Sequence, residues 1–178
     1  VLDPEGRDVE PGSGTAGVLA LGGRIPLGYY KDEAKSAATF RVIDGVRYSV
    51  PGDWAEVGAD GTIRLLGRGS VCINTGGEKV YPEEVEEVVK TLAGVVDAVV
   101  VGVPDERFGE AIVAVVQLAP DADVDEAAVV EWVKGRLSGY KAPRRVRFVE
   151  TIGRSPSGKV DYARHRSEAT DWLGIDAG

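Results

Sequence analysis

The chain has 178 residues, 43% of them hydrophobic, enough for one domain core or one and a fraction. A formal net charge of −8 argues against non-specific binding to nucleic acid. A single cysteine, Cys72, excludes an internal disulfide and fits a reducing compartment; in Val71-Cys72-Ile73 it reads as a small buried hydrophobe. No run approaches the ~18 apolar residues of a membrane-spanning helix, so no transmembrane segment is expected. The opening residues lack a basic stretch ahead of an apolar core, so no signal peptide is expected and the expected location is cytoplasmic. The chain contains no methionine, even at its start, which reads as a fragment of something longer.

Residues 1–66 read as short strands broken by turns. Gly12-Ser13-Gly14-Thr15-Ala16-Gly17 lacks the Gly-Lys-Ser/Thr of a phosphate loop and any strand before it, so it is a surface turn. Strands are predicted over Val18–Leu21, Ile25–Tyr29, Phe40–Ile43 and Val46–Ser49. A short helix is predicted over Asp32–Thr39, with Asp32 available as N-cap. The dipeptide Asp60-Gly61 between two half-apolar runs predicts a hairpin with a two-residue loop. That loop sets Ala59 opposite Thr62 and, stepping outward, Asp53 opposite Arg68. Directly opposed residues share a face, with Cβ atoms roughly 4.5–5.5 Å apart. Asp53 and Arg68 therefore make either a plain cross-strand salt bridge or a clamp for vicinal hydroxyls.

From Val71 onward the pattern becomes a compact α/β module. The glycine-bearing segment Thr75-Gly76-Gly77 leads to a helix starting at Pro82, where the first turn tolerates proline. Glu83, Glu84 and Glu86 place negative charge at the positive end of that helix. Val85, Val88, Val89 and Leu92 form its apolar stripe, and the acidic pairs Glu83-Glu84 and Glu86-Glu87 are expected on its solvated face. Val95–Val103 and Ala111–Leu118 are valine-rich strands joined by the loop Pro104–Glu110. Asp123 with Glu126 forms a capping-box signature ahead of Val129, Trp132, Val133 and Leu137. Arg144–Glu150 alternates as a strand with Val146 and Phe148 on one face. A last helix runs from Asp161 to about Ala169, with His165 expected on its surface. One histidine leaves no His-rich metal cluster and no Ser/His/Asp triad. The order helix, strand, strand, helix, strand, helix suits a small sheet covered by helices.

Four motifs occur in one order: Pro51-Gly52-Asp53; Gly67-Arg68; Thr75-Gly76-Gly77-Glu78-Lys79-Val80-Tyr81-Pro82; and Pro156-Ser157-Gly158-Lys159-Val160-Asp161. In that order and spacing the chain resembles the C-terminal third of an adenylate-forming enzyme, from about Gly14 to about Arg166. The family comprises acyl-CoA synthetases, nonribosomal-peptide adenylation domains and firefly luciferase. The wording of Ile73–Pro82 is most similar to fatty-acyl-CoA synthetases. The resemblance implies an α+β fold, a small mixed sheet covered by helices that forms a lid. A β-rich, barrel-like remnant of a large N-terminal domain precedes it. The implied boundaries are 1–67 for that remnant, 68–70 for a hinge, 71–168 for the lid and 169–178 for a tail.

The chemistry implied by the resemblance has two halves. A fatty or related carboxylic acid attacks the α-phosphate of ATP, and the thiol of coenzyme A then displaces AMP from the acyl-adenylate. The resemblance makes Lys159 the catalytic lysine of the first half, where an anionic nucleophile meets an anionic phosphorus and a positioned cation matters most. It makes Asp53 and Arg68 the ribose-binding pair, and Arg68, Gly69 and Ser70 the hinge. Thr75, Gly76 and Gly77 line the path of the pantetheine thiol, with Lys79 near phosphate in the second conformation. Tyr140-Lys141-Ala142-Pro143-Arg144-Arg145 is read either as a cradle for coenzyme A phosphates through Lys141 and Arg144 or as a solvated basic strand edge. Mg2+ would be held mainly by parts of the enzyme outside this chain, as would the acyl pocket, so the isolated chain is expected to be inactive.

Two departures from the family pattern stand out. Gly153 occupies a place where many relatives carry proline, and Ser70 one where many carry Asp or Lys. Two alternative functions remain: an adenylation domain that loads a carrier-protein thiol, and a non-catalytic interaction module in which Lys159 and Asp53 are dispensable.

Overall fold

The computed structural model describes residues 1–175. The chain divides into two compact units, Val1–Ser70 and a second from Val71 onward. The first contains β1 (Gly17–Val18), α1 (Glu33–Thr39), β2 (Phe40–Ile43), β3 (Val46–Ser49), β4 (Asp53–Val57) and β5 (Ile63–Arg68). β1, β4 and β5 form an antiparallel sheet in that order, and β2 and β3 a separate hairpin. Among the described residues neither sheet closes into a barrel. Asp32 caps α1 as expected, its carboxylate accepting from the Lys35 N–H at 2.9 Å. The strand expected at Ile25–Tyr29 is absent; Pro26 and Gly28 interrupt it and only the isolated bridge Tyr29↔Asp32 remains.

The β4–β5 hairpin reaches the expected pairing by a different route. Its loop has three residues, 59–61, one more than a two-residue turn: the Gly58 N–H donates to the Thr62 carbonyl, and Gly61 donates back to Gly58 with φ +81°. Gly61 supplies the left-handed residue that follows a type I turn in three-residue hairpins. The Asp60 carboxylate binds the N–H and hydroxyl of Thr62. This turn shifts the register by one, pairing Ala55 with Leu65 rather than with Leu66. A bulge between Trp54 and Ala55 shifts it back, so Asp53 faces Arg68 after all.

The second unit contains β6 (Ile73–Thr75), β7 (Glu78–Val80), α2 (Pro82–Lys90), β8 (Val95–Asp105), β9 (Gly109–Leu118), α3 (Glu126–Lys134), β10 (Arg145–Val149) and α4 (Tyr162–Trp172). β8 pairs antiparallel with β9 along its length. The other edge of β9 takes β10 in parallel over Val113–Gln117 and touches β6 at Gly109. A crossover helix, α3, lies between the parallel strands β9 and β10, as parallel neighbours require.

Alternation of the valines sorts the core into two layers. Ala98, Val100, Ile112, Ala114 and Val116 pack with Val85 and Val89 of α2 and Val129 and Val133 of α3. Val99, Val101, Val103, Ala111, Val113 and Val115 pack on the opposite face with Ile152 and Ala169. Burial of both faces explains the unbroken valine runs, which a half-exposed strand would not tolerate. The last helix runs beyond the expected Ala169 to Trp172, and of the expected 169–178 tail, residues 176–178 lie outside the described residues.

Four sequence expectations need correction here. Glu86 is not solvated: it is 4% exposed, accepts the Val100 N–H at 2.9 Å and accepts from the Tyr162 hydroxyl at 3.2 Å. Among the described residues β8 has only β9 as neighbour, so this carboxylate satisfies a backbone donor that the sheet leaves open. The N-cap of α3 is Asp125, not Asp123, and Glu126 instead accepts from the Val146 N–H of β10 at 3.0 Å. His165 is buried at 2% exposure and donates through Nε2 to the Ile152 carbonyl at 3.0 Å. Burial holds that imidazole below its ordinary pKa, aided by neighbouring Arg164. Cys72 is only half-buried.

Burial raises the Glu86 carboxyl from 4.5 to about 7, against the lowering effect of its hydrogen bonds to Val100 and Tyr162. Because the folded pKa lies above the unfolded one, this group's contribution is most favourable below pH 4.5 and is lost as pH rises to about 7. The loss is on the order of 3 kcal/mol. Urea denaturation of the chain between pH 5 and 8 is expected to show falling stability. Glu86→Gln should flatten the profile and exceed the parent at pH 8. A variant that is less stable than the parent at pH 8 would contradict this account of the buried carboxyl.

Candidate functional site

Lys159 closes a tight turn of exposed residues between β10 and α4. The Ser155 N–H donates to the Lys159 carbonyl at 2.9 Å, the Lys159 N–H to the Ser155 hydroxyl at 2.9 Å and the Gly158 N–H to the Ser155 carbonyl at 2.8 Å. Gly158 has φ +78°, and a β-carbon there would meet nothing within 4 Å. Backbone handedness, not close ligand approach, is therefore why glycine stands at 158. Among the described residues no carboxylate pairs with the Lys159 ammonium, and the residue is exposed to solvent.

Arg154 stands just before the turn. Its guanidinium grips Asp97 of β8 through two bonds of 2.6 and 2.8 Å and reaches the Gly158 carbonyl at 3.3 Å. The Asp97 carboxyl is held below its ordinary pKa by Arg154 despite partial burial. Sequence reasoning missed Asp97, although a lone carboxylate in the run Val95-Val96-Asp97-Ala98-Val99 was the available signal. Gly153 has φ +66°, which a pyrrolidine ring cannot adopt.

In the first unit, Arg68 Nε lies 3.2 Å from Asp53 Oδ1, with the Asp53 side chain 31% exposed and the Arg68 side chain 65%. The two groups thus project together at the open end of the β4–β5 hairpin. Gly69 begins a short 3-10 turn, Gly69–Val71, and its N–H donates to the Gly52 carbonyl. A β-carbon on Gly69 would fall 2.5 Å from the Trp54 indole nitrogen, so close approach is a reason for glycine beyond the dihedral freedom expected of a hinge. Ser70 lies within the same short turn.

Thr75 is buried, and Gly76 and Gly77 form the exposed tip between β6 and β7 with φ of +60° and +87°. Positive φ at both residues is the signature of a type I′ hairpin, which accounts for the glycines by turn geometry. The Gly76 N–H donates to the Phe108 carbonyl at 2.8 Å, and Arg144 stacks 3.6 Å above the Phe108 ring. Phe108, unnoticed in the sequence, thereby links Gly76 to Arg144. Lys79 is exposed on β7, opposite Asn74. Lys141 is drawn away: its ammonium pairs with Glu84 at 2.5 Å, and both side chains are largely buried. Of the basic segment read either as a phosphate cradle or as a solvated strand edge, Lys141 forms an inward ion pair and Arg144 an exposed guanidinium stacked on Phe108.

Asp97 and the Lys159 turn sit at one end of the β8–β9 hairpin; Gly76 and Phe108 sit at the other. Eight residue steps along β8, from Asp97 to Asp105, lie between these ends, about 26 Å of strand at roughly 3.3 Å per step. Residues 84–159 match the AMP-binding enzyme C-terminal domain. This stretch is an AMP-binding enzyme C-terminal domain. The resemblance drawn from the motifs therefore holds. The AMP-binding C-terminal domain and its flanks are 59% identical over 162 residues to the 3-oxocholest-4-en-26-oate--CoA ligase of Rhodococcus rhodochrous, covering 91% of this chain and 29% of that protein. They are 53% identical over 180 residues to a medium/long-chain-fatty-acid--CoA/3-oxocholest-4-en-26-oate--CoA ligase of Mycobacterium tuberculosis, covering all of this chain and 33% of that one. Among solved structures, ATP-bound MatB from Rhodopseudomonas palustris is similar with a TM-score of 0.80 and 34% identity, over 97% of this chain and 34% of that one. The chain spans about a third of the length of the curated relatives it matches.

Proline at position 153 is expected to destabilise the AMP-binding C-terminal domain by at least about 2 kcal/mol, since φ must invert and the N–H bonded to Thr151 disappears. Urea denaturation of Gly153→Pro beside Gly153→Ala checks this. Equal stability of the proline variant and the parent would show that the positive φ is dispensable.

Proposed function

We propose that this chain is the C-terminal part of an ATP-dependent acyl-CoA ligase. The ligase would activate a medium- or long-chain fatty acid or a steroid side-chain carboxylic acid. The observation that carries the reading is the presentation of Lys159 on a braced turn, in a chain 59% identical to a ligase of that kind. In the first half-reaction a carboxylate oxygen bonds to the α-phosphorus of ATP and the bond to pyrophosphate breaks. The Lys159 ammonium offsets the charge that accumulates on the phosphate oxygens as both bonds stretch. Asp53 accepts from the ribose hydroxyls while Arg68 lies against the same sugar.

In the second half-reaction the coenzyme A sulfur attacks the acyl carbon, AMP leaves and the thiol proton passes to solvent. The Gly76-Gly77 tip and Arg144 serve this step, Arg144 pairing with phosphate while stacked on Phe108. Lys141 acts through its ion pair with Glu84, not on coenzyme A. The roughly 26 Å of β8 from Asp97, which Arg154 grips beside the Lys159 turn, to Asp105 at the Gly76 end supports successive use of two ends of the unit, with rotation at Arg68-Gly69-Ser70. Among the described residues no group of three or more His, Cys, Asp or Glu is placed to hold a metal ion, and we assign no Mg2+ ligand to this chain. No described helix is long and apolar enough to cross a membrane.

In the full-length ligase, Lys159→Ala should lower ATP–pyrophosphate exchange by about 10²–10³-fold, the scale of losing one positioned charge-stabilising group. Thioester formation from pre-made acyl-adenylate should stay within a few-fold of the parent. Asp53→Ala should raise the KM for ATP. Full exchange activity in Lys159→Ala would refute the reading.

A further inference from the structure

Five exposed residues, 155–159, carry Lys159, and exposure alone would leave them free to move. Two polar anchors flank them. Before the turn, Arg154 is fixed by its two bonds to Asp97 and extends its third nitrogen to the Gly158 carbonyl, directly beside Lys159. After the turn, Tyr162 opens α4 and donates its hydroxyl to the buried Glu86 carboxylate. Asp97 and the backbone group that Glu86 binds, the Val100 N–H, both belong to β8. The two anchors therefore share one rigid strand, and Arg154 lies within electrostatic range of Glu86 and Tyr162 as well as of Asp97.

We propose that Asp97 and Arg154, with Glu86 and Tyr162 on the other side, are positioning residues that hold the Lys159 turn in its adenylating geometry. The inference rests on the assignment of Lys159 to the first half-reaction. A planar guanidinium suits the task better than an ammonium. Two of its edges take the carboxylate in parallel while the remaining nitrogen addresses a carbonyl, a division of labour that lysine cannot reproduce. Displacement of a catalytic group by about 1 Å can cost about 10²-fold in rate, so a turn that keeps its fold but loses this tether becomes a poor catalyst. None of these four residues touches the reacting atoms on this account.

The test compares both half-reactions in the full-length ligase carrying Arg154→Gln, Arg154→Lys, Asp97→Asn or Tyr162→Phe, with Lys159→Ala as reference. Arg154→Gln and Asp97→Asn should each lower the kcat of ATP–pyrophosphate exchange by about 10–100-fold. The KM for ATP should stay within about twofold, and so should thioester formation from supplied acyl-adenylate. The double variant should be little worse than either single, since the two act as one unit. Arg154→Lys should recover only a small part of the loss, and Tyr162→Phe, which removes one hydroxyl and leaves the packing, should show the same selective defect at smaller size. Proportional loss of both half-reactions would mean a merely structural role and overturn the proposal. Full exchange in Arg154→Gln while Lys159→Ala is inactive would overturn the brace alone. Full exchange in Lys159→Ala would overturn the assignment of the lysine itself.

Discussion

The pairing of β8 with β9 is the constraint on which the second unit depends. Ten residues of β9 are matched along this hairpin, and its valines alternate between two buried layers. Each fully buried valine contributes about 1.5–3 kcal/mol relative to exposure, so neither layer can be lost without the other sheet face losing its cover. α2 and α3 close one face and α4 the other, and within this unit the Lys159 turn hangs from one end of the hairpin and the Gly76 tip from the other. The length of the strands thus sets the distance between the two groups proposed to act in turn.

Much of this was legible in the residues. Valine runs bounded by turn residues announced buried strands, and Pro82 with the acidic first turn located α2 correctly. Asp32 announced its helix because a cap is a local interaction that needs no knowledge of the rest. The juxtaposition of Asp53 with Arg68 was also foreseen, yet through two errors that cancel: Asp60-Gly61 sits in a longer loop, and the bulge at Trp54 restores the register. The bulge lies away from the turn, where β4 also pairs with β1, so no dipeptide at the loop reveals it.

What stayed hidden is what long-range geometry decides. Glu86 looks like a solvated residue because its sequence neighbours are acidic; the open edge of β8 and the Tyr162 hydroxyl of α4, both distant in sequence, give a buried carboxylate something to bind. His165 was misplaced for the same reason, since the carbonyl it serves at Ile152 lies in a loop, outside any periodic pattern. Lys141 and Arg144 look equivalent in a basic cluster, but Glu84 captures one and Phe108 the other. The glycines were noticed for their suspected closeness to ligand; in Gly76, Gly77 and Gly158 the positive φ already requires them. Local handedness and ligand access are separate demands that happen to select the same residue.

The two carboxylates that bind strand N–H groups have a further consequence. A sheet of near-continuous valine is the composition most prone to recruit strands from other molecules, provided its border offers unpaired donors. Glu86 occupies the donor of Val100 and Glu126 that of Val146, so each margin carries a built-in blocker supplied by the covering helix. Both side chains thereby oppose strand addition as well as hold the native packing, and at Glu86 an incoming strand could not displace the acceptor without costing a buried acid group one of its bonds.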